Sequence, residues 1–235
     1  MKNNNKFRLD VWGAITLGTI ALYALFLLYP MAYLIRQSVL DPDTGGFTLA
    51  YFTKFFSKSY YFDTLINSFK VSITATVLSI AIGTPLAYLF TIFKIKGKSV
   101  LNILIVVASM SAPFIGAYSW ILLLGRSGVI TAFFKNLGIA IPDIYGFGGI
   151  VLVMTLQLFP LVFLYAKGAL KNIDNSLIEA AENLGCSGIV CFFKVVVPLI
   201  MPTLLAAALL VFMRSFADFG TPMLIGEGYR TFPVV

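Results

Sequence analysis

The chain contains no histidine and only two cysteines among 235 residues, and charged side chains make up 11% of it. Without histidine, triads, metal sites and proton relays that use imidazole are excluded within this chain. Cys186 and Cys191 stand five residues apart, too few for a structural zinc site, and on the cytoplasmic side argued below thiols stay reduced. The run Gly97-Lys98-Ser99 resembles the end of a phosphate-binding loop, but the first glycine such a loop requires, five positions earlier, is Ile92. No catalytic cluster, metal site or cofactor site emerges. Charged residues are scarce because apolar ones fill the chain: 59% of the residues are hydrophobic and the mean hydropathy is +0.93, far from a soluble domain.

A bilayer core of about 30 Å needs roughly 20 helical residues. Five stretches meet or approach that length without a Lys, Arg, Asp or Glu: Val11–Ile35, Val71–Phe93, Ser99–Gly125, Ile144–Ala166 and Val195–Met213. Short alternating segments of the β-barrel kind are absent. The expected fold class is an all-α integral membrane protein with about five to six helices. Lys2, Lys6 and Arg8 precede a first apolar run longer than a signal core, with bulky Tyr33, Leu34 and Ile35 where a small-x-small cleavage site would follow, so this run is read as a retained helix.

Basic residues in short loops favour the cytoplasmic side. With the N-terminus (1–10) inside, Lys94, Lys96 and Lys98 fall together in one cytoplasmic loop, whereas the outer Lys and Arg are spread over long segments beside Asp41, Asp43, Asp63, Asp143, Asp218 and Glu227. The net charge of +7 therefore reads as an insertion and anionic-lipid signature, not as nucleic-acid binding. Outside, the long segment Arg36–Lys70, with its aromatics from Tyr51 to Phe62, suits an amphipathic segment at headgroup level, with a solute-binding site as the alternative. Within a second outer segment, Arg126–Tyr145, Val129–Phe134 is expected to re-enter the membrane face. Pro85, Pro113 and Pro160 lie inside the apolar stretches, where they either bend helices around a cavity or are simply tolerated. Gln157 and Asp218 are the candidate pathway residues; Gln157 equally suits a bond to a neighbouring helix, and Asp218 a helix end.

A polar island, 171–197, separates the last two apolar stretches. Ser176 and Glu179 predict a capping box, Gly185 a helix stop, and Leu177–Leu184 about two turns between them. Ile173, Leu177, Ala180, Ala181 and Leu184 make an apolar stripe against the wet edge of Glu179, Glu182 and Asn183, suited to a groove on the membrane domain or on a partner. Ser187 is expected to cap a second helix, Ile189–Val197, with Pro198 leading into the next span.

Glu179-Ala180-Ala181, Gly185 and Val195-Val196-Val197-Pro198 resemble the cytoplasmic signature loop of permease subunits of bacterial binding-protein-dependent ABC importers, with Val at both aliphatic positions of the family's Ile-x-Leu-Pro ending. The resemblance implies a type I importer transmembrane domain over 11–235, in a bacterial inner membrane. Implied partners are a dimer of ABC ATPase subunits that uses the ATP, an extracytoplasmic solute-binding protein and a second permease module. Glu179, Ala180, Ala181, Gly185 and Pro198 would be the ATPase-coupling residues. The segments Arg214–Pro222 and Gly226–Pro233 resemble the ferric-iron branch, in the N-terminal module of its permeases; thiamine, phosphonate, polyamine and oxyanion importers are the alternatives. The family's two-module chains continue beyond the point matching Val235, so a single module is expected, either interrupted or paired with a separate or identical half. An ion-coupled transporter or channel is the reading from another class; it would need ionisable groups buried mid-span, and the sequence offers essentially none.

Overall fold

A computed structural model describes residues 11–41, 45–93, 96–110, 112–139, 142–186 and 188–235. Lys2, Lys6 and Arg8, the N-terminal segment 1–10, Lys94 and the expected cap Ser187 lie outside the described residues, as does the side chain of Glu182. All named elements are helical, and five helices are long and apolar enough to cross a membrane. The chain divides into two compact units, Met1–Phe62 and Asp63–Val235.

In the first unit, α1 (Val11–Val39) has exposed apolar side chains along its length, as a lipid-facing helix should. It passes through one π-helical turn, Ala24–Leu28, where the Tyr29 N–H donates to the Ala24 carbonyl, and Pro30 follows. Proline cannot donate and its ring crowds the carbonyl four residues back, and the wider turn relieves that conflict. After an isolated bridge between Leu40 and Phe47, α2 (Ala50–Ser57) carries Phe55 and Phe56 edge to face at 5.2 Å, and Phe55 stacks on Tyr61.

The second unit contains most of α3 (Ser59–Ile92), then α4 (Lys98–Ser109), α5 (Pro113–Leu124), α6 (Val129–Asn136), α7 (Phe147–Lys171), α8 (Asn175–Asn183), α9 (Gly188–Phe216) and α10 (Gly220–Ile225). The expected span Ser99–Gly125 is corrected here. It breaks between Ser109 and Pro113, so α4 is too short to cross alone, and Pro113 starts a helix instead of bending one. The third candidate span is instead Pro113–Asn136, with a turn between Leu124 and Val129, and the expected re-entrant segment is its second part, α6. Pro85 and Pro160 do lie inside helices.

The core of this unit forms where α9 packs along α7 and both meet α3: Phe163, Ala166, Val196, Ile200 and Leu204 are buried together with Ala87 and Phe90. The approach of α3 follows from small residues at helical spacing. Ser68, Ser72, Ala75, Ser79, Gly83 and Ala87 share its buried face, the pattern that brings membrane helices close. At Gly83 a Cβ would stand 2.9 Å from both the Phe159 carbonyl oxygen and Val162 Cβ. A second cluster, built on Ile150, Val153, Met154, Val71, Ala75 and Ile225, holds the opposite ends of α3, α7 and α10. There Asn67 donates to the Arg230 carbonyl and the Phe232 N–H to Ser68 Oγ, tying the C-terminal residues to α3.

Candidate functional site

Two places concentrate the predicted residues. The first is α8, suspended between the ends of two candidate spans, α7 and α9. The helix starts two residues earlier than its capping-box reading implies. The cap is Asp174, not Ser176: its Oδ1 accepts the Ser176 N–H at 3.0 Å, and its carbonyl accepts the Leu177 N–H. An aspartate satisfies the same orphan N–H groups as serine and adds a charge favourable at a helix start. The two hydrogen bonds from Ser176, backbone first and side chain second, hold the Asp174 carboxyl below the usual carboxylate range.

At the other end Gly185 takes φ +84° and the Cys186 N–H reaches back to the Ala181 carbonyl at 3.0 Å, a Schellman closure. Nothing stands within 4 Å of a Cβ built on Gly185, so only its backbone conformation calls for glycine. The expected apolar stripe is divided. Ile173 and Ile178 pack against the core of α7 and α9. Leu177 and Leu184 do not: they are 49% and 89% exposed, beside exposed Glu179 and Ala180. The period of the stripe was legible, but the groove that takes it receives only the face centred on Ile173 and Ile178.

Pro198 is placed apart from α8. It lies near the start of the regular part of α9, after a π-helical turn, Phe192–Val196, in which the Val197 N–H donates to the Phe192 carbonyl. The separate helix expected over Ile189–Val197 is therefore the first part of α9, continuous through Pro198. Pro30 and Pro198 thus each follow a π turn at the same offset.

The second place is a cavity of about 470 Å³ lined by Ser109, Pro113, Phe114, Gln157, Leu158, Arg214, Ala217, Asp218, Phe219 and Gly220. It brings Gln157 and Asp218 together at the break between α4 and α5. Gln157 stands ten residues into α7, about 15 Å along its axis, and its Nε2 contacts the Pro113 carbonyl at 3.5 Å. The carboxylate of Asp218 is engaged locally: Oδ1 accepts the Gly220 N–H at 2.9 Å and Oδ2 the Thr221 hydroxyl at 2.6 Å, fixing the start of α10. Gly220 lets α10 sit against α5, since a Cβ there would meet Phe114 and Pro113 at 3.3 Å. Arg214, Ser109 and Phe114 belong to this cavity without having been singled out as pathway residues. Arg214 was visible only as part of a motif, because its convergence with Gln157 depends on how α7 and α9 pack. Among the described residues, no three His, Cys, Asp or Glu side chains are grouped to hold a metal ion.

At the far end of α7 from α8, Arg126 joins the loops around it. It donates to Asp143 at 2.9 Å and to Glu227 at 2.8 Å, with its guanidinium 4.7 Å from the centre of the Tyr145 ring.

Residues 46–234 match the family described as binding-protein-dependent transport system inner membrane component. The chain is 29% identical over 212 residues to the putative ferric transport system permease protein FbpB 1 of Haemophilus influenzae, covering 89% of this chain and 33% of that protein. It is 28% identical over 232 residues to the ferric transport system permease protein FbpB of Actinobacillus pleuropneumoniae, again spanning 33% of the relative. The spermidine/putrescine transport system permease protein PotB of Haemophilus influenzae is 28% identical, with 95% of this chain and 79% of the relative covered. Thus the chain spans one third of the length of the two ferric permeases and most of the polyamine permease. Among solved structures, a bacterial ABC transporter involved in import of the acidic polysaccharide alginate matches with a TM-score of 0.73 at 16% identity, over 95% of this chain and 78% of that one. A bacterial alginate ABC transporter solved in complex with an alginate pentasaccharide-bound periplasmic protein matches with a TM-score of 0.72 at 16% identity, over 95% of this chain and 77% of that one.

Proposed function

The chain belongs to the family of binding-protein-dependent transport system inner membrane components, and from that premise we propose that α8 is the element through which a separate ATPase drives it. The chain is a multi-pass permease subunit of an ABC importer. The observation that carries the coupling reading is a short, closed helix between two candidate spans that packs Ile178, and Ile173 just before it, half-buried against the core yet leaves Leu177, Glu179, Ala180 and, at its exit, Leu184 uncovered. Its packed face ties it to the permease, and its open face is free for a partner. On this reading Glu179 meets a cation on the ATPase surface, Ala180 and Ala181 permit close approach, Gly185 fixes the exit of the chain, and Pro198 belongs to the helix behind the contact. The N-terminus and α8 lie in the cytoplasm. The opposite end, with Arg126, Asp143 and Glu227, faces a solute-binding protein, and a second module completes the pathway. ATP shifts such a permease between states only through contacts that differ between them.

Ferric iron is the proposed solute, taken through the cavity as an oxygen-ligated complex. Arg214 brings its guanidinium donors to the cavity, while the Gln157 amide N–H contacts the Pro113 carbonyl and the Asp218 carboxylate is engaged by α10. A donor-lined cavity suits an acceptor-rich complex better than a polyamine, which is itself cationic and donor-rich. The first test is co-purification of the chain with the ATPase encoded beside it, native against Glu179→Lys. Capture by the native chain and its loss in the variant support the coupling role. If neither the native chain alone nor the chain with a second module captures the ATPase, the reading fails. Uptake of radioactive iron against spermidine by the reconstituted system tests the solute.

A further inference from the structure

A second, smaller cavity, about 330 Å³, lies where α3 ends, α4 begins and α7 ends. Its lining is Phe90 and Thr91 from α3, Lys98, Ser99 and Asn102 from α4, and Lys167 and Lys171 from α7. Three lysines thus line one pocket that contains no carboxylate. Among the described residues none of the three pairs with an Asp or Glu, since the ion pairs present belong to Arg126. Lys167 is held in place there: it donates to Asn102 Oδ1, which bridges α7 to α4, and its ammonium stands 5.5 Å from the centre of the Phe163 ring. The pocket also faces the first turn of α4, whose start is set by Gly97 at φ +79°. The first N–H groups of a twelve-residue helix are unsatisfied by the helix itself and favour negative charge. Ser99 adds a hydroxyl group, whereas the Thr91 hydroxyl already donates to the Ala87 carbonyl at 2.8 Å.

We propose that this pocket binds a phosphate group, and that the phosphate is that of an anionic phospholipid headgroup. Three ammonium groups, a helix start and the Ser99 hydroxyl are the chemistry that recognises a phosphate. The lipid source follows from location. The pocket sits at the ends of two candidate spans, α3 and α7, where headgroups lie. The helix α4 that supplies Lys98 also exposes Leu101, Leu104 and Val100, an apolar flank for acyl chains. Lys171 is three residues before Asp174, the cap of α8, so the bound headgroup would brace the base of the coupling helix. This last consequence rests on the coupling reading; the binding itself does not.

The full chain, purified in detergent, is incubated with equal amounts of phosphatidylglycerol and phosphatidylethanolamine, and the lipids retained are counted by native mass spectrometry. A parallel arm adds millimolar inorganic phosphate. Selective retention of phosphatidylglycerol is expected, reduced about fivefold by Lys98→Gln and roughly twentyfold by Lys167→Gln with Lys171→Gln, and unchanged by Lys135→Gln on α6. Using substitutions on two different helices separates loss of binding from misfolding, which a melting curve of each variant checks. Saturable, lysine-dependent binding of inorganic phosphate without lipid selectivity assigns the same pocket to a free phosphate. Equal binding of both anions to native and substituted chains overturns the proposal. So does loss of ATPase capture in the lysine variants with lipid retention intact, which would make the lysines contacts for an acidic partner surface.

Discussion

Gly185 offers the sharpest test of the coupling role proposed for α8, because the structure separates the two reasons a glycine can be needed. A Cβ there meets nothing within 4 Å, so any penalty comes from its φ of +84° alone. An L-residue in the left-handed region costs roughly 1–2 kcal/mol, and each 1.4 kcal/mol is a factor of about ten in an equilibrium constant. If docking requires the closed end of α8, Gly185→Ala should weaken ATPase binding by roughly 5–30-fold. Gly185→Asn should weaken it far less, because asparagine visits this region readily. Gly185→Val should be at least as damaging as alanine, since a β-branched residue is least tolerant of positive φ. The assay is binding of the purified ATPase to the chain in detergent, titrated for all four proteins at one salt concentration. The expected order is glycine, asparagine, alanine, valine. Equal affinity across the series refutes the reasoning, as does loss with asparagine equal to that with valine, which would indicate a steric contact that a partner adds.

Gly83 should behave in the opposite way. Gly83→Ala drives a Cβ to 2.9 Å from a backbone oxygen, so it should destabilise by about 1–3 kcal/mol despite alanine's helix preference. Gly168→Ala, open on all sides within α7, should stabilise by up to about 1 kcal/mol; melting in detergent reads both signs, and a shared sign contradicts the packing of α3 on α7. The capping role of Asp174 predicts a pH dependence. Its carboxyl is depressed in the folded state, so its contribution is present above the ordinary aspartate range and lost as pH falls through the depressed value. Amide protection factors across Asn175–Asn183, taken relative to the intrinsic exchange rate at each pH, should fall on acidification in the native chain and lose that acid-dependent fall in Asp174→Asn. Asp218→Ala removes three hydrogen bonds that fix α10 and should cost about 1–2 kcal/mol, whereas Gln157→Leu should leave melting within about 1 kcal/mol while slowing solute uptake; a large melting change with Gln157→Leu and none in uptake would make it a structural bond only.

What could be read from the sequence divides along the range of the forces involved. Hydropathy and the island between apolar blocks are local, so the membrane class, the number of candidate spans and the helix closed by Gly185 were all legible. The break at Ser109–Pro113 was not, because an uncharged run from Ser99 to Gly125 reads as one span unless proline is given its helix-starting role. The capping box at Ser176 and Glu179 was outcompeted by Asp174, a stronger acceptor two residues earlier whose signal was present in the sequence. The small-residue face of α3 was equally visible at its four-residue spacing, from Thr64 to Ala87. The two cavities were not legible. Arg214 and Gln157, or Lys98 and Lys167, converge only through the packing of helices far apart in the chain.

That packing also indicates how a push on α8 would reach the solute. α8 is joined at one end to α7 and at the other to α9, and these two helices carry Gln157 and Arg214 into the cavity. They are not independent levers: Val162, Phe163 and Ala166 of α7 are buried with Val196, Ile200 and Leu204 of α9 in one core. A displacement at α8 therefore moves both cavity walls together unless a compliant point intervenes. Two such points are present. Pro160 interrupts the hydrogen bonding of α7 three residues beyond Gln157, and the π turn Phe192–Val196 precedes Pro198 in α9. Since both lie between α8 and the cavity, substituting Pro160 or Pro198 by alanine stiffens the path without touching the docking face. Coupling through these helices then predicts normal ATPase capture with altered uptake per ATP hydrolysed, whereas loss of capture in either variant would place the prolines in the docking contact itself.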